Sequence, residues 1–317
     1  MQTQDIPERP LLAIGLLLLA MLLFVATDGA AKYLVATMSA QQIIWVRYVV
    51  TVAVLIPVLW HQRREGAIRT RQPRLQILRG LLLMVSAMIF VLALQHLPLA
   101  LCTAIGFVSP LYVTALSIPL LGEKIGIRRW AAVVVGFVGV LVILRPGGAA
   151  FQWAMILPLV SSLCWAFGLI ITRMMRGTER AVTILAYSSI VGCLASLPLA
   201  LPLWRHPSLD EWALLVGIGL FNAGGQYLVI RAFMMAPASV LAPFSYSTIL
   251  WATLIGIVFF DTYPDTPTMA GAGVLVAAGL YVWHRERVRT QQPTVPGASL
   301  GEVAEAESGE RRDARVD

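Results

Sequence analysis

The chain has 317 residues, of which 58% are hydrophobic and only 13% charged, with 24 Lys and Arg against 17 Asp and Glu for a net charge of +7. Soluble domains average roughly 25% charged residues, so this chain has too few to cover a water-facing surface of its size. Composition therefore excludes an ordinary soluble fold and, for the bulk, disorder; three scattered cysteines, Cys102, Cys164 and Cys193, exclude a disulfide framework, and no paired Cys or His spacing suggests zinc.

A helix needs about 20 largely apolar residues to cross a hydrocarbon core of about 30 Å. Ten such spans are predicted, at 11–32, 41–60, 76–95, 98–121, 129–145, 152–173, 181–203, 211–230, 238–260 and 267–284. The third and fourth are joined by a few residues around Pro98, and a proline midway favours an antiparallel pair over one long helix. The expected fold is an all-α polytopic membrane protein in a lipid bilayer, with no cofactor and no metal.

Lys and Arg in short connections stay cytoplasmic and set orientation. Arg63, Arg64, Arg69, Arg71, Arg74 and Arg79 precede the third span; Lys124, Arg128 and Arg129 precede the fifth; Arg173, Arg176 and Arg180 precede the seventh. Arg9, Arg231 and the cluster Arg285, Arg287 and Arg289 share that side, against Lys32, Arg145 and Arg205 on the other. Both termini are expected to be cytoplasmic, and topology accounts for the net charge without nucleic acid as a partner. The first apolar stretch is too long for a cleaved signal, and the chain after Arg289 turns polar and reads as a disordered tail.

A shift of about 139 residues lays one half of the chain on the other, as inverted repeats require. Ala93 falls on Ala232 and Pro98 on Pro237; the stretches from Ala104 and from Pro243 share length, apolarity and an acidic residue at the exit, Glu123 or Asp261. The expected organisation is an N-terminus over 1–10, five-helix repeats over 11–146 and 147–285, and a tail over 286–317. An odd number of spans per half makes the second copy enter from the opposite side, an arrangement that places a substrate site near the midplane.

The APASVLAPFSYSTILWATLIGIVFFD run from Ala236 and the FVSPLYVTALSIPLLGEK run from Phe107 resemble the two halves of an EamA-type transporter of the drug/metabolite transporter superfamily, over roughly residues 11–284. The resemblance implies a ten-helix inner-membrane carrier. It also implies amino acids, other metabolites, riboflavin or metal-chelating metabolites as cargo, with export slightly more frequent than import.

Charge inside a bilayer is costly unless paired or wet, so intramembrane ionisable residues are the first site candidates. Asp28 lies late in the first span and Arg47 early in the second, with Lys32 one turn beyond Asp28. Two readings stand: a structural Asp28–Arg47 or Asp28–Lys32 pair, or a group that binds substrate or carries a coupling proton. Asn222 and Gln226 project from one face of the eighth span beside Gly224 and Gly225, suited equally to a polar ligand or to interhelical amide bonds. Trp45, Tyr112, Trp165, Tyr227, Tyr246 and Trp251 lie inside the spans, where rings stack on a ligand, pack, or face lipid. Tyr112 and Tyr246 occupy nearly matching places in the repeat, near Pro110 and Pro243, where kinks are expected. Lys32, Glu123 and Asp261 are gate or coupling candidates at span ends.

No catalytic constellation, phosphate-cradling loop or Walker motif occurs, so energy is expected from a gradient or from exchange. The favoured cargo is an amino acid-like or metal-chelating zwitterion, its carboxylate on Arg47 and its amine on Asp28. That argument fails if the two charges pair only with each other. An uptake carrier for a vitamin such as riboflavin is the alternative; a membrane-embedded enzyme or sensor is the rival from another class.

Overall fold

The computed structural model describes residues 10–62, 69–122, 127–146, 151–175, 178–235 and 241–291. Glu123, the N-terminus up to residue 9 and the expected tail beyond 291 lie outside them. Described secondary structure is helical throughout, because a backbone in hydrocarbon finds no water and must satisfy its polar groups within the segment.

The first half comprises α1 (Pro10–Leu34), α2 (Ala40–Gln62), α3 (Pro73–His96), α4 (Leu99–Gly106), α5 (Ser109–Leu121) and α6 (Ile127–Leu144). In the second, a 3-10 turn at Trp153–Met155 enters α7 (Ile156–Met174), and α8 (Ala181–Ala200) runs into another at Leu201–Leu203. Then come α9 (Leu209–Met235), a 3-10 segment at Ala242–Tyr246, α10 (Ser247–Phe260) and α11 (Thr266–Gln291).

Seven of the ten expected spans are helical stretches long and apolar enough to cross a membrane, from Leu11–Leu34 to Leu209–Val229. The other three coincide with the shorter apolar helices Trp130–Leu144, Phe244–Phe260 and Thr266–Tyr281. Both expected kinks appear as breaks. The α4–α5 stretch is interrupted at Phe107 and Val108, with Pro110 in the first turn of α5, and Pro243 opens the 3-10 segment before α10.

The helices of the two halves interlock reciprocally. α1 packs along α9, and α7, its counterpart five segments on, packs along α3, the counterpart of α9. In the same way α2 meets α9 while α8 meets α3, and α2 also lies on α8 and α6 on α11, each pair being mutual counterparts. Glycines make these approaches close. A Cβ on Gly80 would stand 2.7 Å from Cβ of Val191, and one on Gly219 would stand 2.4 Å from Cβ of Val50. Gly80 and Gly219 stand 139 residues apart and Val50 and Val191 stand 141 apart, so contacts of one kind are made in both pairs of helices. Gly139 and Gly271 bring α6 and α11 together so closely that a Cβ on Gly271 would lie 2.6 Å from the Gly139 carbonyl oxygen.

The core joins α1 to α4 with α6, α9 and α11, around Val25, Ile43, Val91, Leu94, Ile105 and Leu275. Outside it, α6 presents Val134, Val135, Val138 and Leu141 at the surface, an apolar exterior suited to lipid.

Polar latches tie the connections at both ends. At one end Glu211 accepts from Thr37 Oγ1 (3.1 Å), the Ser208 amide (2.8 Å) and the Arg205 guanidinium. Ser208 Oγ accepts the Glu211 amide in return, closing a capping box at the start of α9. The Gln42 amide holds the Arg205 backbone at 2.7 and 3.1 Å. At the other end Glu179 accepts from Thr70 Oγ1 (2.7 Å) and the amides of Arg71 (2.6 Å) and Gln72 (3.0 Å), and Gln72 Nε2 donates to Thr178 (3.2 Å). A further tie joins Arg145 to Asp265, before α11. Its guanidinium holds the Asp265 carboxyl below the ordinary value of 3.8, so this contact stabilises at neutral pH and is lost only as pH falls through the lowered value.

The reciprocal glycine contacts predict that Gly219→Ala costs about 1–3 kcal/mol through overpacking against Val50. Gly217→Ala, whose Cβ meets nothing within 4 Å, is neutral or slightly stabilising by comparison. Thermal unfolding of both variants in detergent measures the difference. The second latch predicts that Glu179→Ala opens the connections it ties, so trypsin cleavage at Arg71 and Arg180 becomes about five- to tenfold faster at equal melting temperature.

Candidate functional site

Asp28 lies on α1 two turns before its end, half-buried and within electrostatic reach of Arg47. Among the described residues it forms neither an ion pair nor a hydrogen bond, with Arg47 or with Lys32. Lys32 is engaged elsewhere. Its Nζ donates to the carbonyls of Leu94 (3.1 Å) and Leu97 (2.8 Å) and lies 5.5 Å from the Phe260 ring centroid. The last carbonyls of a helix lack intrahelical donors and carry its negative dipole end, which accounts for the choice.

Arg47, on α2, sets its guanidinium 5.4 Å from the centroid of the Tyr48 ring, and its buried Nε has no acceptor. Thr51 Oγ1, one turn further, donates to the Arg47 carbonyl at 2.8 Å and receives a long bond (3.4 Å) from Asn222 Nδ2 on α9. Asn222 is held there because Gly225 admits the Phe24 ring and Gly219 admits Val50, drawing α9 against α1 and α2. Gln226 is half-buried one turn along the same helix. Asp28, Arg47, Thr51 and Asn222 thus come from α1, α2 and α9, the first two both packing on the third.

The aromatic candidates separate. Trp45 meets Trp204 edge-on with centroids 5.5 Å apart, and its buried Nε1 has no hydrogen-bond acceptor. Tyr112 packs on Phe137 at 5.7 Å, and Tyr246 on Phe107 at 5.2 Å with its hydroxyl against Gly279, so both fill helix contacts. Trp165 and Tyr227 are 40% and 59% exposed and stand on the surface of α7 and α9. Ser247 and Trp251, one turn apart on α10, bury unpaired polar atoms; only Trp251 was legible as an interior ring.

Asp261 is exposed and caps α10 in the left-handed conformation, φ 48°. The first half fills the same cap with Gly122, φ 68°, rather than with Glu123, so the two acids are not positional equivalents. Aspartate is tolerated there because its short polar side chain offsets part of the strain.

A cavity of about 1150 Å³ opens between the ends of α1, α3 and α10 and the start of α9. Gly29, Lys32, Gln95, Asp210, Glu211 and Phe260 contribute to its wall. It reaches the residue next to Asp28 and is large enough for a nucleoside-sized solute.

Interior polar groups missed by sequence reasoning lie on α3. Gln76 is fully buried with neither amide atom hydrogen-bonded, and Arg79, three residues on, donates through Nε to Thr172 Oγ1 (2.7 Å) on α7 and through Nη1 to Ser188 Oγ on α8. Arg79 counts toward topology in the sequence because it follows the arginine-rich connection. Its burial is a consequence of α3 packing on α7 and α8.

The EamA-like transporter family model matches the chain twice, over residues 11–145 and 152–283. An S-adenosylmethionine uptake transporter of Rickettsia bellii is 29% identical over 276 residues, covering 87% of this chain and 94% of that one. A riboflavin transporter of Vibrio cholerae is 27% identical over 294 residues (91% and 99%), and a pseudopaline exporter of Pseudomonas aeruginosa 28% identical over 275 (84% and 95%). A solved crystal structure aligns with a TM-score of 0.62 at 18% identity, over 87% of this chain and 98% of that chain, which bears on the fold alone. With two family matches on a bundle of membrane-crossing helices, the chain is a multi-pass integral membrane protein that belongs to the EamA-like transporter family.

Proposed function

We propose that this transporter is a secondary carrier that moves an amino acid-like zwitterion across the bacterial inner membrane by alternating access. It crosses the bilayer ten times, as inverted repeats over 11–146 and 147–285, with both termini in the cytoplasm. The observation that carries the reading is that Asp28 and Arg47 stand on α1 and α2, which both pack on α9, and form no ion pair among the described residues. Two opposite charges kept apart inside a bilayer are costly, and a zwitterion bridging them removes that cost.

In this reading the carboxylate meets Arg47 beside Thr51 and Asn222, and the ammonium meets Asp28. The cavity beside Lys32 and Glu211 is the external approach. Access alternates as the latch at Glu211 opens while that at Glu179 holds, and the reverse. Asp28 also serves as the proton-coupling group. S-adenosylmethionine carries both an amine and a carboxylate, and the relatives named for its uptake favour inward movement and make it the first solute to test.

Uptake of radiolabelled S-adenosylmethionine by a bacterial host without a carrier of its own tests the reading. Asp28→Asn and Arg47→Gln are each expected to assemble normally and lose at least about tenfold in uptake, the scale of a buried charge contact removed on one side. Asp28→Asn should keep solute exchange longer than proton-driven accumulation. Full uptake by both variants, or uptake of riboflavin without any amino acid-like solute, would overturn it.

A further inference from the structure

The contact between Arg79 and Ser188 has a counterpart in the other half. Arg79 immediately precedes Gly80, as Ile218 precedes Gly219; Ser188 stands three residues before Val191, as Arg47 stands three before Val50. Since Gly80 meets Val191 and Gly219 meets Val50, the pair Arg79 and Ser188 on α3 and α8 is repeated by Ile218 and Arg47 on α9 and α2. Each of these related places holds one guanidinium, supplied by opposite partners of the contact. Tyr48 lies within electrostatic reach of both.

A purely structural clamp would not need a full charge there. Thr172 and Ser188 are neutral and already donate to their own helices, at the Gly168 and Ile184 carbonyls (2.8 Å each), so they accept from Arg79 without neutralising it. No carboxylate among the described residues pairs with Arg79. Beside it the Gln76 amide is 0% exposed and unpaired at both ends. A guanidinium without a counter-ion and an amide nitrogen, Gln76 Nε2, without an acceptor, three residues apart on a helix, match the donors that a carboxylate takes.

We infer that Gln76, Arg79, Thr172 and Ser188 form a second anion-binding station, near the cytoplasmic end of the bundle, which receives the substrate's carboxylate after Arg47 releases it. This rests on the zwitterion reading above. Arg47 then serves the outward-open state and Arg79 the inward-open one, so the anionic group meets a guanidinium on both sides of the switch.

The test uses the full chain in membrane vesicles, with Ser188→Cys as a reporter and labelling measured above that of the wild-type protein. After normalisation to a free thiol in solution, the anionic 2-sulfonatoethyl methanethiosulfonate should modify it about tenfold faster than the cationic trimethylammonium-ethyl reagent, because a buried cation concentrates anions. Adding Arg79→Gln should abolish the preference, and Arg79→Lys should retain it. S-adenosylmethionine should slow labelling where its decarboxylated analogue does not, and Gln76→Leu should remove that protection without lowering the melting temperature.

Equal rates for the two reagents, a preference untouched by Arg79→Gln, or no labelling above wild type would overturn the station. If Arg79→Gln fails to assemble, the Gln76→Leu comparison decides: protection kept in that variant overturns the station. A reagent preference in a protein that carries no amino acid-like solute would support an anion site and sink the zwitterion reading instead. Transport without any preference would sink the station alone.

Discussion

Two contacts of one kind, Gly219 on Val50 and Gly80 on Val191, hold the bundle in its arrangement. Lipid gives helices no hydrophobic reason to associate, so what joins them is van der Waals contact where a missing side chain lets backbones close in. Each of these contacts fixes the depth of one helix against another from the opposite half. Arg47 and Thr51 flank Val50 on α2, Asn222 follows Gly219 by less than a turn, and Arg79 adjoins Gly80. The polar interior is therefore positioned by apolar contacts, and its register would shift with them.

Within that frame the charges are arranged by what is available to neutralise them. Lys32 is satisfied by helix-end carbonyls and Arg205 by Glu211, both near an end of the bundle. By contrast, Asp28, Arg47 and Arg79 lack ionic partners among the described residues. Lys32 and Arg205 thus tie segments together, whereas Asp28, Arg47 and Arg79 are left without a counter-ion among the described residues. That division is sharper than burial alone would give, since Lys32 and Asp28 are a single turn apart.

Much of the helix order was legible because lipid demands long apolar runs and prolines mark where they break; Pro110 and Pro243 did so. Asp28, Arg47 and Asn222 were legible because polar side chains stand out in such runs. The pairing of Lys32 was not, because its acceptors Leu94 and Leu97 are backbone groups far along the chain. Gln76 and Arg79 escaped notice for a related reason: residues near a charged connection look solvated until α7 and α8 are known to cover them. Trp165 and Tyr227 stand exposed, one of the orientations left open for them, since an aromatic within a span says nothing of which way its helix is turned.

The caps of α5 and α10 show how two halves of one chain drift apart. Gly122 and Asp261 share a left-handed backbone, φ 68° and 48°, although their side chains have nothing in common. What the halves share there is a torsion angle, the bend that turns the chain out of its helix, produced by two different residues. Glycine supplies that bend without strain; aspartate accepts some strain and in exchange leaves a carboxylate in water at the rim. Divergence of this sort is invisible to residue matching, because the shared feature is a backbone angle and not a side chain.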